Sequence, residues 1–324
     1  MPVDRSLSAS GSVELAVLER NGLIESRHLG AAVVLGADGS ALRSLGDSSA
    51  LIYPRSSLKL LQAIAVLRSG LDLDGEQLVL AAASHGGTPD HVRVVAQILA
   101  DAGLDESALQ CPADWPLDRP ARHSVVAAGG GTSRIMMNCS GKHASFLAAS
   151  ARRGWPTDNY LDPTHPLQRV ILETVQGLTG EPVEHSGVDG CGAPLHAVTL
   201  TGLARSVAHI ARPADDHTSR LSRAILAHPW ALDGHGRANT VAVQELGVIA
   251  KGGAEGVMVM GTADGVAVAV KILDGSMRAT TLVAVELLAS VGAVDRNAAS
   301  TVVELTTERV LGAGEPVGLI RATV

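Results

Sequence analysis

The chain opens on short β-prone runs, Val13–Arg20, Leu23–His28, Ala31–Leu35 and Ala41–Leu45. They are separated by Asn21-Gly22 and Asp38-Gly39, residue pairs that accept the positive φ of a hairpin turn. The period then changes. Leu58–Arg68 is apolar on nearly every side, which predicts a helix buried all round and stopped by Gly70, with Ser56 and Lys59 at its first turn. Thr88-Pro89 starts an amphipathic helix reaching about Ala102, and Ala144–Arg153, closed by Gly154, is another. From Trp155 to Gly234 the pattern is helical (Leu167–Leu178, Leu203–Ala211, Ser219–His228), with Pro- and Gly-bearing connections. Two further strands, Glu255–Met260 and Val266–Leu273, flank the hairpin turn Thr262-Ala263-Asp264-Gly265; a helix over Ala279–Ser290 and a strand over Val317–Thr323 follow. Strands at both ends with helices between predict an α+β fold, an antiparallel sheet flanked by helices, rather than βαβ units.

At 324 residues with 46% hydrophobic and 18% charged side chains, the chain can bury a large core. It reads as a single catalytic domain, 1–324, within which about 155–234 is a candidate helical subdomain or lid; no repeat or low-complexity tract interrupts it. The net charge of −7 provides no basic surface, and 2% aromatic residues leave little to stack on bases, so nucleic acid is not expected as a partner. Met1 to Ser12 lacks the apolar core of a signal peptide, and no run has the length of a membrane span. The expected location is cytoplasmic, away from membranes. Three cysteines, an odd number, then argue for reduced thiols rather than a disulfide framework.

The candidate chemistry lies in the lysines. Only four of the 26 Lys and Arg side chains are lysine, and three of those four stand in polar motifs: Ser56-Ser57-Leu58-Lys59, Asn138-Cys139-Ser140-Gly141-Lys142-His143 and Val268-Ala269-Val270-Lys271. A lysine amine can lose its proton in a protein and act as a base or a ligand, which arginine cannot do. Three residues apart at a buried helix start, Lys59 could reach and deprotonate Ser56, the activated-nucleophile arrangement in its Ser-Lys form. The bland alternative is that Ser56 caps a core helix and Lys59 reaches past it to the surface. Cys139 and Lys142 precede a helix, and Cys191 lies in the glycine-rich Gly187-Val188-Asp189-Gly190-Cys191-Gly192. Two thiolates and a neutral amine would make three ligands to a borderline metal, zinc fitting best, with a fourth position open. Against this stands a pair of buried structural thiols.

Taken together, Arg55-Ser56-Ser57-Leu58-Lys59, Ala83-Ser84-His85-Gly86, Asn138-Cys139-Ser140-Gly141-Lys142-His143 and Val188-Asp189-Gly190-Cys191-Gly192 resemble the asparaginase II family, the third, rhizobial-type class of L-asparaginases. The resemblance runs in order through almost the whole chain. It implies a serine β-lactamase/penicillin-binding-protein-like fold with a buried nucleophile-bearing helix, hydrolysis of L-asparagine to L-aspartate and ammonia, and a homodimer. It further implies Ser56 and Lys59 as the nucleophile tandem, Ser84 and Lys271 as a second tandem, and Cys139, Lys142 and Cys191 as ligands of one Zn2+ per subunit. Arg55, His143 and Asp189 are expected beside the site, toward substrate. Three alternatives remain open: a glutaminase, since one methylene is weakly discriminated; a β-lactamase-like hydrolase, although the Ser-x-Asn and Lys-Thr-Gly partners are not seen at Ser84 and Lys271; and a zinc-binding sensor without catalysis. Arg237-Ala238-Asn239-Thr240, after a Gly-rich turn, is either a substrate contact or an ordinary helix start.

Overall fold

The computed structural model describes residues 5–324; the part of the N-terminal reading that falls on Met1–Asp4 lies outside the described residues. β1 (Val13–Arg20), β2 (Leu23–Leu35) and β3 (Ala41–Leu45) form an antiparallel meander. Asn21 and Gly22 both take positive φ in the first turn, as the hairpin signal requires. The two runs read separately over 23–35 are one strand. Gly30 between them marks a close approach, since a Cβ there would stand 2.0 Å from the Lys271 carbonyl oxygen of a neighbouring strand.

After β4 (Leu51–Ile52) the chain makes a 3-10 turn, Arg55–Leu58, and enters α1 (Lys59–Arg68). Every residue of α1 from Lys59 to Leu67 is buried, as its all-round apolar pattern predicts. α2 (Gly75–Ala82), α3 (Pro89–Asp101), α4 (Arg119–Ala127), α5 (Ser140–Arg153) and α6 (Pro166–Thr179) follow; α1 is packed among α2, α5 and α6. Gly141, in the first turn of α5, lets that turn approach α2, for a Cβ would stand 2.4 Å from the Leu80 carbonyl oxygen.

Short paired strands β5 (Ser186–Val188) and β6 (Pro194–His196) shape the Cys191 loop, and β7 (Val198–Thr199) pairs with β4; then come α7 (Leu200–Ala211), α8 (Asp216–Ala227) and α9 (Ala238–Leu246). β8 (Ile249–Gly253), β9 (Val257–Gly261) and β10 (Ala267–Ile272) return to the sheet, and α10 (Thr280–Ser290), α11 (Arg296–Thr306), β11 (Val310–Gly312) and β12 (Glu315–Ala322) complete the chain.

The main sheet is antiparallel in the order β11-β12-β1-β2-β10-β9-β8, with β3 also on β2. The first and last parts of the sequence thus share one sheet, and α7, α8, α9 and α10 pack against it. β9 is buried along its whole length and β10 almost so, with α7 and α10 packed on them. This is the α+β class. No helix among the described residues is long and apolar enough to cross a membrane.

Candidate active site

The site forms where three segments meet. The 3-10 turn supplies Ser56 and α1 supplies Lys59. The loop after α2 supplies Ser84; it is pinned on both sides, Ser84 N–H donating to the Leu232 carbonyl (3.0 Å) and His85 N–H to the Asn138 carbonyl (3.1 Å). The third segment is β8, which supplies Lys251. Its last residue, Gly253, lies against the turn so closely that a Cβ would stand 2.3 Å from the Pro54 carbonyl oxygen.

Ser84 is the junction. Its Oγ lies 2.9 Å from Lys59 Nζ and 3.0 Å from Lys251 Nζ. Lys59 donates further to the Ala83 carbonyl (2.7 Å) and to Cys139 Sγ (3.1 Å), so it makes three bonds and none is directed to Ser56. Lys251 donates to the Gly252 carbonyl (3.0 Å) and meets Ser84 Oγ at 3.0 Å, a contact in which a neutral amine can accept the hydroxyl proton. Complete burial, reinforced by the neighbouring Lys59 amine, pushes Lys251 down to about 7, which makes the neutral form accessible near physiological pH.

Lys271 is therefore not the partner of Ser84. It lies on β10, with β9 between it and β8, and two strand spacings of about 4.8 Å each separate those backbones. Its amine donates to the carbonyls of Glu255 and Ile272. Three of the four lysines are almost wholly buried, namely Lys59, Lys142 and Lys251, and Lys271 is the exception. The sequence held a signal for Lys251: a lysine followed by two small residues on a strand is the Lys-x-Gly pattern of a Lys-Thr-Gly box. Its glycines conceal the strand.

Behind Ser84, and joined to it through Lys59, lie the thiols. Lys142 Nζ is 2.9 Å from Cys191 Sγ. Hydrogen bonding from the Cys191 thiol, with help from Lys59 and Lys142, holds Cys139 well below the usual thiol range, and the same bond together with burial raises Cys191. Burial works against the Lys142 ammonium, but the two sulfurs outweigh it and raise its pKa. His143 is completely buried and pushed by desolvation to about 4. Its Nδ1 meets the Tyr160 hydroxyl at 2.8 Å, and that hydroxyl also accepts from Gln110 N–H at 2.9 Å. A hydrogen bond between His143 and the Cys191 sulfur works against the fall in the histidine's pKa.

Two sulfurs and an amine converging suit a soft or borderline cation. Among the described residues no group of three or more His, Cys, Asp and Glu side chains could hold a metal ion; the set here depends on lysine as its third member.

A cleft of about 530 Å3 opens in front of the serines, lined among others by Ser56, Ser84, Asp233, Arg237, Asn239 and Lys251. The three residues expected toward substrate do not line it. Arg55 and Asp189 form an ion pair of 2.8 Å, which with Lys142 offsets burial and holds the Asp189 carboxyl below the usual range; His143 is enclosed beneath the thiols. Arg55 itself takes φ 51°, a left-handed conformation uncommon for a residue with a Cβ, at the start of the turn that presents Ser56.

An α+β body with two buried lysines gathered on one serine at an open cleft is a hydrolase architecture, and the sequence comparison agrees. The chain belongs to the L-asparaginase II family, whose model matches residues 16–322. That membership makes it an amidohydrolase of the asparaginase type. No curated protein matches it. Solved structures similar to it include a β-lactamase from Mycobacterium bovis (17% identity, TM-score 0.46, covering 81% of this chain and 94% of that one). A Bacillus glutaminase (12% identity, TM-score 0.43, 81% and 89%) and the native form of Mglu (14%, TM-score 0.46, 83% and 66%) are also similar.

Proposed function

We propose that this protein is an L-asparaginase, hydrolysing the side-chain amide of L-asparagine through a serine acyl-enzyme. The observation that carries this reading is Ser84 Oγ held between the amines of Lys59 and Lys251, at 2.9 and 3.0 Å, in a cleft that Ser56 shares. Ser56 is the nucleophile and Ser84 the relay. The backbone supports that division: the Ser84 N–H is committed to Leu232, whereas Ser56 is at the start of a helical segment, where the dipole favours an oxyanion. The amide of Ala254, which follows β8 and lines the same cleft, is the second candidate donor.

The proposed cycle starts with Lys251 neutral, the form that its burial favours, and a proton on Lys59. Lys59 gives a proton to Ser84 as Ser84 gives its own to Lys251, so that Lys59 becomes the neutral base one helical turn from Ser56. Ser56 loses its proton to Lys59 and its oxygen attacks the amide carbon. The tetrahedral intermediate collapses as its nitrogen takes a proton from Ser84, which is refilled from Lys251, and ammonia leaves. Water then cleaves the aspartyl ester.

The same reading gives Cys139, Lys142 and Cys191 one Zn2+ per subunit. Bound there, the ion would supply a fixed positive charge behind the serines, and the donor set of two sulfurs and an amine supports it. The family reading also carries a homodimer and a cytoplasmic location. The test is ammonia release from asparagine and glutamine, with and without chelator. Release from asparagine in preference supports the proposal; preference for glutamine makes the protein a glutaminase; bound zinc with release from neither makes it a sensor.

A further inference from the structure

One charged group in the cleft has no task in this chemistry. The Arg237 Nε donates to Asp233 Oδ1 at 2.6 Å, and Asp233 is 8% exposed where Arg237 is 38% exposed. Asp233 Oδ2 also accepts from the Asn239 N–H at 3.3 Å, and Asn239 Oδ1 accepts from the Gly252 N–H at 2.8 Å. Gly252 is bonded through its carbonyl to Lys251, which bonds Ser84. Arg237 is thus fixed to the serine–lysine centre by an unbroken series of hydrogen bonds. Gly234, with φ 132°, makes room for its stem: a Cβ there would stand 3.0 Å from Arg237 Cδ. Among the described residues, the Arg237 side chain makes no hydrogen bond beyond that of Nε. Its terminal Nη1 and Nη2 edge therefore remains available in a cleft that holds the reacting serines.

Such an edge matches a carboxylate in a bidentate pair. The other arginines nearby are less suited. Arg55 lies between Asp189 and Glu255 away from the cleft lining, and Arg278, at the cleft, pairs with the 65% exposed Glu308.

We infer that Arg237, oriented by Asp233, is the specificity-determining anchor for the α-carboxylate of the amino-acid amide. The inference rests on the amide-hydrolase reading and sharpens it to a substrate class: ω-amides that carry a free α-carboxylate. Amides whose carboxylate is missing or capped would be turned over poorly.

The experiment compares asparagine with β-alaninamide, which is asparagine without its α-carboxylate, in wild type, Arg237→Gln and Arg278→Gln. Wild type is expected to prefer asparagine in kcat/KM. R237Q should reduce that preference by about 10- to 100-fold, the size of a charge-assisted pair, mainly through KM for asparagine. R278Q should leave the preference within about threefold. Equal losses on both amides in R237Q would reduce Arg237 to a structural residue, and a preference that collapses in R278Q would move the anchor to the rim. Wild type hydrolysing both amides equally well overturns the inference while leaving the function intact; hydrolysis of neither removes the function itself. Calorimetric binding of aspartate, weakened in R237Q and normal in R278Q, supports the anchor independently of turnover. Equal affinity in wild type and R237Q contradicts it.

Discussion

Lys251 and Lys271 differ in chemistry because they differ in surroundings. Lys251 has no contact with water, a second amine nearby and a serine as partner; Lys271 is half-buried against carbonyl oxygens. Replacing Lys251 by Met should lower kcat/KM for asparagine by at least about 100-fold, the worth of a positioned proton-transfer group. Lys271→Met should stay within about threefold, as substitutions away from buried networks do. Steady-state ammonia release checks both, and the opposite ranking would restore Lys271 to the site. The sign of the pH dependence follows from the same burial. Lys251 is depressed from its ordinary value to about 7, so it is protonated below that pH and cannot accept from Ser84, and it is neutral above. Activity is therefore expected to rise as pH rises through about 7, and a pH profile of kcat/KM reads that limb directly. Arginine could serve at none of the buried positions Lys59, Lys142 and Lys251 as they are used here, which gives the scarcity of lysine its physical sense.

Elements with a strong period were legible and those with weak or mixed patterns were not. α1 stood out because each of its faces is apolar, and the β1–β2 hairpin because Asn21-Gly22 fits no other common role. β8 was missed: Ile-Ala-Lys-Gly-Gly has a charge and two glycines where a strand pattern wants branched residues, and the reason is function. Its glycines let the strand run beside the Ser56 turn and its lysine points to Ser84. α2, α4 and α11 carry no strong signal either, and α9 shows only its start, at Arg237-Ala238-Asn239-Thr240. α4 presents no buried residue and so has no apolar stripe to find. Most of the candidate site residues could be named from motifs, but pairing Ser84 with a lysine required the strand order, a long-range fact that no local spacing contains. The close approach at β8 is itself testable. Gly253→Ala should cost about 1–3 kcal/mol in stability by forcing the strand off the turn, and lower turnover with it. Gly131→Ala, where a Cβ meets nothing within 4 Å, should do neither. Thermal unfolding and kcat of the two variants side by side would reveal it, and a Gly253 variant as stable and active as the Gly131 variant would show that the contact is unimportant.

At the scale of the whole molecule, the sheet that brings the first and last strands together forms one side of the cleft, and the helical middle carries the thiols behind it. If Cys139, Lys142 and Cys191 hold zinc, elemental analysis of the purified protein should give about one ion per chain, and adding zinc to the stripped protein should raise its melting temperature. Cys191→Ser should abolish both effects. Zinc at the same stoichiometry in that variant would place the ion elsewhere. The central claim is that Ser56 becomes acylated while Ser84 moves protons. Acid-quenched peptide mass spectrometry of the enzyme turning over asparagine tests it most directly. The account predicts an aspartyl ester on the peptide containing Ser56 and none on the peptide containing Ser84; an ester on Ser84, with Ser56→Ala still forming it, would contradict it.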